Sequence, residues 1–271
     1  MDFKSYAAQT DDQLDLLTGA LLIARDAHPE LDIAEQTRRL DALAEPLARR
    51  GVDGLPALLQ ARALADHLCV RSGFRGNRED YYDPRNSFLC DVIERKVGIP
   101  ISLSIVFVEV AKRVGINARG VSFPGHFLVR IDREQEAVII DPYSAGSLLV
   151  EADLRELLRR IGGKLVLRDE MLAATPVRHI LGRMLMNLRG IYAERAAYPS
   201  LLLVLDRLID LLPDATDELR DRGYLCAKLG APAAAIADLN RYLSAFPHAG
   251  DVAEVRRFLT ELEGARDKSL N

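Results

Sequence analysis

Cysteine is scarce and shows no pairing pattern: Cys69, Cys90 and Cys226 are odd in number, widely spaced and free of any CxxC. That argues against a disulfide framework and against a zinc site, and it fits a reducing interior. Each lies among apolar neighbours, as a small buried hydrophobe does; Leu68 and Val70 flank Cys69. No apolar run approaches the ~18 residues of a membrane-spanning helix. Residues Met1 to Asp12 lack the basic and apolar regions of a signal peptide. Strong basicity is also missing. Lys and Arg number 36 against 40 Asp and Glu, a net charge of −4, and Arg pairs such as Arg38-Arg39 and Arg159-Arg160 are scattered with acidic neighbours. A nucleic-acid partner is therefore not expected. The chain has no P-loop, no GxGxxG after a strand, no HExxH and no GxSxG, so no cofactor and no metal are expected. These absences describe a cytoplasmic protein without membrane or nucleic-acid business.

What is present is a globular chain. Of its 271 residues, 49% are hydrophobic and 28% charged, enough for a sizeable core in one or two domains. Residues 12 to 69 read as three helices. The first carries Leu14, Leu17, Leu21 and Leu22 and closes at His28-Pro29; the second carries Ile33, Leu40, Leu43 and Leu47 and stops at Gly51; the third runs from about Gly54 to Cys69. Residues 71–87 mix turn formers with aromatics and read as an ordered surface segment. Ser87 to Val97 is a short helix ended by Gly98. The helix from Leu103 to Val114 is apolar apart from Glu109, Lys112 and Arg113, and is therefore mostly buried, with Ser102 as its N-cap and Gly115 as its stop.

After Gly115 the hydrophobic period changes to two. Gly120 to Phe123, His126 to Ile131 and Val138 to Asp141 read as strands of a small antiparallel sheet, giving an α+β core. Residues 151–162 return to helix, and the segment 163–178 is the candidate boundary between domains at 1–170 and 178–265. The second domain contains a repeat. An offset of 34 residues aligns Leu205 with Leu239, Ile209 with Leu243 and Pro213 with Pro247, which is the tetratricopeptide period. The expectation is two helix pairs over about 180–265 closed by a capping helix at 251–263.

The chemistry narrows to His126 and Asp141. A hairpin turning at Arg133-Glu134 sets Phe127 opposite Ile140, Leu128 opposite Ile139 and His126 opposite Asp141. Opposed Cβ atoms lie about 5 Å apart, within hydrogen-bonding reach. A carboxylate orienting an imidazole supplies two members of a nucleophilic triad; the same two residues can also serve as a turn histidine and a turn cap.

Several strings together resemble the SirB-type transglutaminase-like family: Gly73 to Asn77, Tyr81 to Ser87, Gly98 to Ser104, Phe123 to Arg130, and Ile140-Asp141-Pro142-Tyr143. The resemblance covers nearly the whole chain and implies a papain- and transglutaminase-like core, a buried helix on a small antiparallel sheet behind a helical N-terminal region, followed by an all-α tetratricopeptide module. It also implies a triad of Cys at the helix N-terminus, His on one strand and Asp on the next. His126 and Asp141 match the last two positions. The first departs from the pattern, because the Cys position falls near Pro100. Ser102 and Ser104 are the nearest hydroxyls. Two functions follow. One is a non-catalytic scaffold whose tetratricopeptide module binds a protein partner. The alternative is a hydrolase or acyl transferase using Ser102 or Ser104 with His126 and Asp141.

Overall fold

The computed structural model describes residues 1–162, 165–212 and 214–270, with backbone alone for residues 265–270. Gly163 and Lys164 of the expected boundary segment and Pro213, which aligns with Pro247 in the repeat, lie outside the described residues. The chain divides into two compact units. One comprises Gln9–Met184; the other comprises Met1–Ala8 with Leu185–Asn271.

In the first unit, α2 (Leu16–Arg25) and α3 (Ile33–Ala48) follow α1 (Phe3–Ala7) of the other unit. Asp15 and Asp32 are the N-caps of α2 and α3, each accepting from a first-turn amide. The expected third helix is α4 (Ala57–Ala65), which widens into a π turn over Asp66–Arg71. Then come β1 (Arg75–Gly76), α5 (Leu89–Arg95), β2 (Val97–Gly98) and α6 (Pro100–Arg113). β1 and β2 form a two-residue parallel pair, Arg75 opposite Val97 and Gly76 opposite Gly98, which no sequence period announces.

Helix α6 begins earlier than its apolar pattern suggests. Pro100 occupies the first turn and Ile99 is the N-cap, so Ser102 stands at the third helical position rather than at the cap. Its Oγ accepts from the Ile99 amide at 3.1 Å. The reading of α6 as buried holds almost around its girth. Even Glu109 is 2% exposed, held by Arg113 at 2.8 Å.

The four-stranded sheet is an antiparallel meander in the order β3 (Ala118–Val121), β4 (Leu128–Arg133), β5 (Glu136–Asp141), β6 (Ser147–Leu149). Val121, Phe123, Leu128 and Ile139 pack with Leu154 and Leu158 of α7 (Glu151–Arg160). Val129, Ile131 and Ile140 alternate with them and are fully buried; α4 and α6 pack on this sheet. Burial of both kinds of position explains why the strand runs are nearly continuously apolar.

The boundary between units falls within α8 (Val177–Glu194). Beyond it, the second unit is helical throughout its described elements: α9 (Tyr198–Leu211), α10 (Thr216–Lys228), α11 (Pro232–Ala245) and α12 (Val252–Leu270). Both ends of α11 fall 34 residues after the ends of α9, so the repeat read from side chains is a repeat of helices. Leu219, Leu239, Tyr242, Val255 and Leu259 form its core, with α12 as the cap.

Candidate functional site

His126 and Asp141 do meet, but through a different arrangement from the one expected. The β4–β5 hairpin pairs Val129 with Ile140 and Arg133 with Glu136. Its turn is therefore Glu134-Gln135, one residue later than the sequence reading, and Glu134 takes a left-handed φ of 55°. The ladder shifts by two residues, which preserves the face of each side chain. It also leaves His126 before the first residue of β4 rather than opposite Asp141. The imidazole reaches the carboxylate from the turn Pro124-Gly125-His126. Gly125 makes that turn possible: its φ is 66°, and an added Cβ would lie 3.0 Å from Ile161.

Two elements fix this turn. The His126 amide donates to the Phe123 carbonyl at 3.0 Å. Arg183 of α8 donates to Ser122 Oγ at 2.6 Å and to the His126 carbonyl at 3.2 Å, with its guanidinium over the Phe127 ring. The other half of the pair is fixed by the β5–β6 connection. Asp141 Oδ1 accepts from the amides of Tyr143 at 3.0 Å and Ser144 at 3.2 Å, an Asx turn. Oδ2 is left to face His126.

Nε2 of His126 lies 2.9 Å from Oδ2 of Asp141. The approach is off the line of the ring N–H, so the contact is a close polar pairing without aligned hydrogen-bond geometry, and Nε2 is buried with no aligned acceptor. Burial raises the Asp141 carboxyl, but the contacts from His126 and Ser144 outweigh it and leave the carboxyl below its ordinary value. Asp141 is thus ionised at neutral pH. Tyr143 stands edge-on to the His126 ring at 6.2 Å between centroids, and its hydroxyl donates to the Asn77 carbonyl at 2.9 Å. That contact draws the 71–87 segment into the site. Gly76 is needed where it passes: a Cβ there would lie 2.5 Å from the Tyr143 ring and 2.7 Å from its carbonyl oxygen. His126, Asp141, Tyr143, Arg78 and Arg160 line a cleft of about 560 Å³.

The hydroxyls proposed as nucleophiles are otherwise occupied. Ser102 is fully buried, and its Oγ donates to the Asn86 carbonyl at 2.6 Å. Ser104, also fully buried, points its Oγ at the Phe127 carbonyl, 3.4 Å away. Neither lines the cleft. The thiols are held protonated rather than activated. Cys69 lies in the π turn, where an added Cβ on Gly146 of the β5–β6 connection would be 3.2 Å from its Sγ. Burial and the Asp141 charge push that thiol up to about 12. Burial pushes Cys90 up to about 11 and raises Cys226. Such thiols stay protonated at neutral pH and are poor nucleophiles.

Sequence reasoning missed Arg183, Arg78 and the proximity of Cys69, and named Tyr143 without giving it a role. The string Asp141-Pro142-Tyr143 had marked Tyr143. The other three arrive by tertiary packing, which leaves no local signal.

Comparison with known proteins agrees with this architecture. The profile of the transglutaminase-like superfamily matches residues 34–186, and a tetratricopeptide-repeat profile matches 188–260. A UPF0162 protein of Xylella fastidiosa is 39% identical over 97% of this chain and 95% of its own length. A UPF0162 protein of Pseudomonas aeruginosa is 32% identical over 84% of this chain and 83% of its own length. F-box only protein 21 of Homo sapiens is 27% identical over 84% of this chain but only 41% of its own length. No solved structure matches the chain. With its transglutaminase-like core, its following tetratricopeptide repeats and near-full-length likeness to the Xylella protein, the chain belongs to the UPF0162, or SirB-type, family.

Proposed function

We propose that this protein is a non-catalytic, cytoplasmic transglutaminase-like scaffold (residues 1–170) joined to a tetratricopeptide module (178–265) that binds a protein partner. The observation that carries this reading is the start of α6. No cysteine stands near Pro100, close to where the superfamily pattern calls for one, and the two nearby hydroxyls are buried and directed at main-chain carbonyls. A working base must come within about 3.2 Å of its nucleophile, directly or through one water. Here the imidazole faces a cleft that neither serine lines.

The His126–Asp141 pair then serves a structural purpose: it ties the turn before β4 to the β5–β6 connection and shapes the wall of the cleft. Three unpaired cysteines support a reducing compartment. The repeat module is short, so its groove suits a short helix or peptide rather than a long extended ligand. The reading is tested by turnover of an activated ester and of a glutamine donor with a primary amine, comparing the full chain with His126→Ala and Asp141→Asn. Equal background rates are expected. Catalysis that falls by several orders of magnitude in either variant would favour the Ser-His-Asp hydrolase or acyl transferase instead.

A further inference from the structure

A second group of chemistry-bearing side chains lies where the connection between α2 and α3 meets the start of α5. His28 comes from that connection, and Cys90 and Asp91 from the first turn of α5. Each offers one ligand atom, and these atoms all lie within 4.8 Å of one another. His28 Nε2 stands 2.8 Å from Asp91 Oδ2, and Phe88 holds the imidazole edge-on with ring centroids 5.7 Å apart. All three residues line a cleft of about 460 Å³. Gln36 of α3 lines the same cleft. It is 6% exposed, and its Oε1 is buried without a hydrogen-bond partner. A buried amide oxygen left unpaired calls for an explanation, and a ligand in the cleft supplies one.

We propose that His28, Cys90 and Asp91 bind a divalent transition-metal ion of the zinc class, with the Gln36 side chain turning its Oε1 to accept from the water in its fourth position. The donor set selects the metal. Imidazole nitrogen, thiolate sulfur and a carboxylate oxygen suit zinc, whereas calcium and magnesium call for oxygen ligands. Tetrahedral bonds of about 2.0–2.3 Å place ligand atoms roughly 3.3–3.8 Å apart. The His28–Asp91 contact, at 2.8 Å, would open slightly by side-chain rotation to admit the ion. On binding, Cys90 releases its thiol proton to solvent and the sulfur lone pair forms the metal bond. His28 and Asp91 exchange their mutual contact for the ion.

The charge of the cleft suits a cation. Glu30 and Glu94 line it beside Asp91, and Arg39 in the same lining is held by Glu35 at 3.3 Å. The ion would fasten α5 to the α2–α3 connection. Spacing rules overlook such a site because its histidine and its cysteine lie far apart in the chain.

The test uses the full chain after chelation, titrated calorimetrically with zinc chloride and spectroscopically with cobalt chloride. One ion per chain is expected, with the visible bands of a tetrahedral cobalt ion and a near-ultraviolet thiolate-to-cobalt band. Cys90→Ser should abolish that band. His28→Gln and Asp91→Asn, at positions 40% and 16% exposed in their side chains, should each weaken zinc binding at least ~10-fold while circular dichroism stays unchanged. Gln36→Leu should weaken it about 10- to 100-fold, as loss of an outer hydrogen-bond partner does. Cys69→Ser and Cys226→Ser should leave both readouts intact. Absence of one-equivalent binding, binding that survives both His28→Gln and Asp91→Asn, or a charge-transfer band that follows another cysteine would each overturn the proposal. If Cys90→Ser fails to fold, the His28 and Asp91 variants decide it.

Discussion

Replacing Asp141 separates the two tasks assigned to its carboxylate. Oδ1 accepts from two turn amides and Oδ2 faces His126. Asp141→Asn keeps an oxygen for the amides and loses the charge; Asp141→Ala loses everything. The difference between a charge-assisted and a neutral hydrogen bond gives Asn a cost of about 1–2 kcal/mol. Ala leaves two amides without their acceptor and removes the charge facing the imidazole, in a place where Asp141 is only 2% exposed. At about 1–3 kcal/mol per stranded donor, moderated because Tyr143 and Ser144 are half-buried, the cost is about 3–4 kcal/mol. That is a large share of a domain stability of roughly 5–15 kcal/mol. Urea unfolding followed by circular dichroism, with hydrogen exchange of the β5 and β6 amides as a local probe, measures it. The pH dependence has a fixed sign. The carboxyl lies below its ordinary value when folded, so the charge contributes above the unfolded pKa of about 3.9 and is lost as pH falls through the lower folded value. The gap between wild type and Asp141→Asn should shrink as pH falls below about 4. An Asn variant as unstable as Ala, or a gap that widens in acid, would refute the assignment.

Three further outcomes are expected. Ser102→Ala removes the bond to the Asn86 carbonyl and the acceptor for the Ile99 amide, so urea unfolding should show a loss of about 1–3 kcal/mol with no change in any turnover. Gly76→Ala forces a methyl into the Tyr143 ring and carbonyl; a loss of about 2–3 kcal/mol, with faster hydrogen exchange at β1 and β2, is expected. Gly223→Ala places a Cβ 2.7 Å from Leu239 Cγ between α10 and α11. Overpacking of about 1–3 kcal/mol outweighs a helix-propensity gain of about 1, so hydrogen exchange in α10 and α11 should accelerate.

The parts legible in the sequence were those written in many side chains at once. Helix α6 is apolar over most of its turns, and the α9–α11 correspondence is carried by several residues at one offset. The hairpin register was misread for a local reason. Its turn uses Glu134 in the left-handed region, where glycine, asparagine or aspartate would ordinarily announce it. The His126–Asp141 contact was nonetheless anticipated, because a two-residue shift keeps both side chains on the same face. The start of α6 was placed too late because a buried Ser102 at the third helical position imitates a cap in composition. The β1–β2 pair is too short to show any period, and the π turn that brings Cys69 beside the β5–β6 connection is a tertiary outcome.

The central claim, that this transglutaminase-like core has no working nucleophile, is tested most directly by intact-mass spectrometry of the native protein treated with a fluorophosphonate or with iodoacetamide near neutral pH. The account expects no fluorophosphonate adduct and only slow alkylation, in keeping with thiols held at about 12 and 11 for Cys69 and Cys90, unchanged by His126→Ala. A rapid adduct on Ser102, Ser104 or Cys69 that disappears in His126→Ala would contradict it.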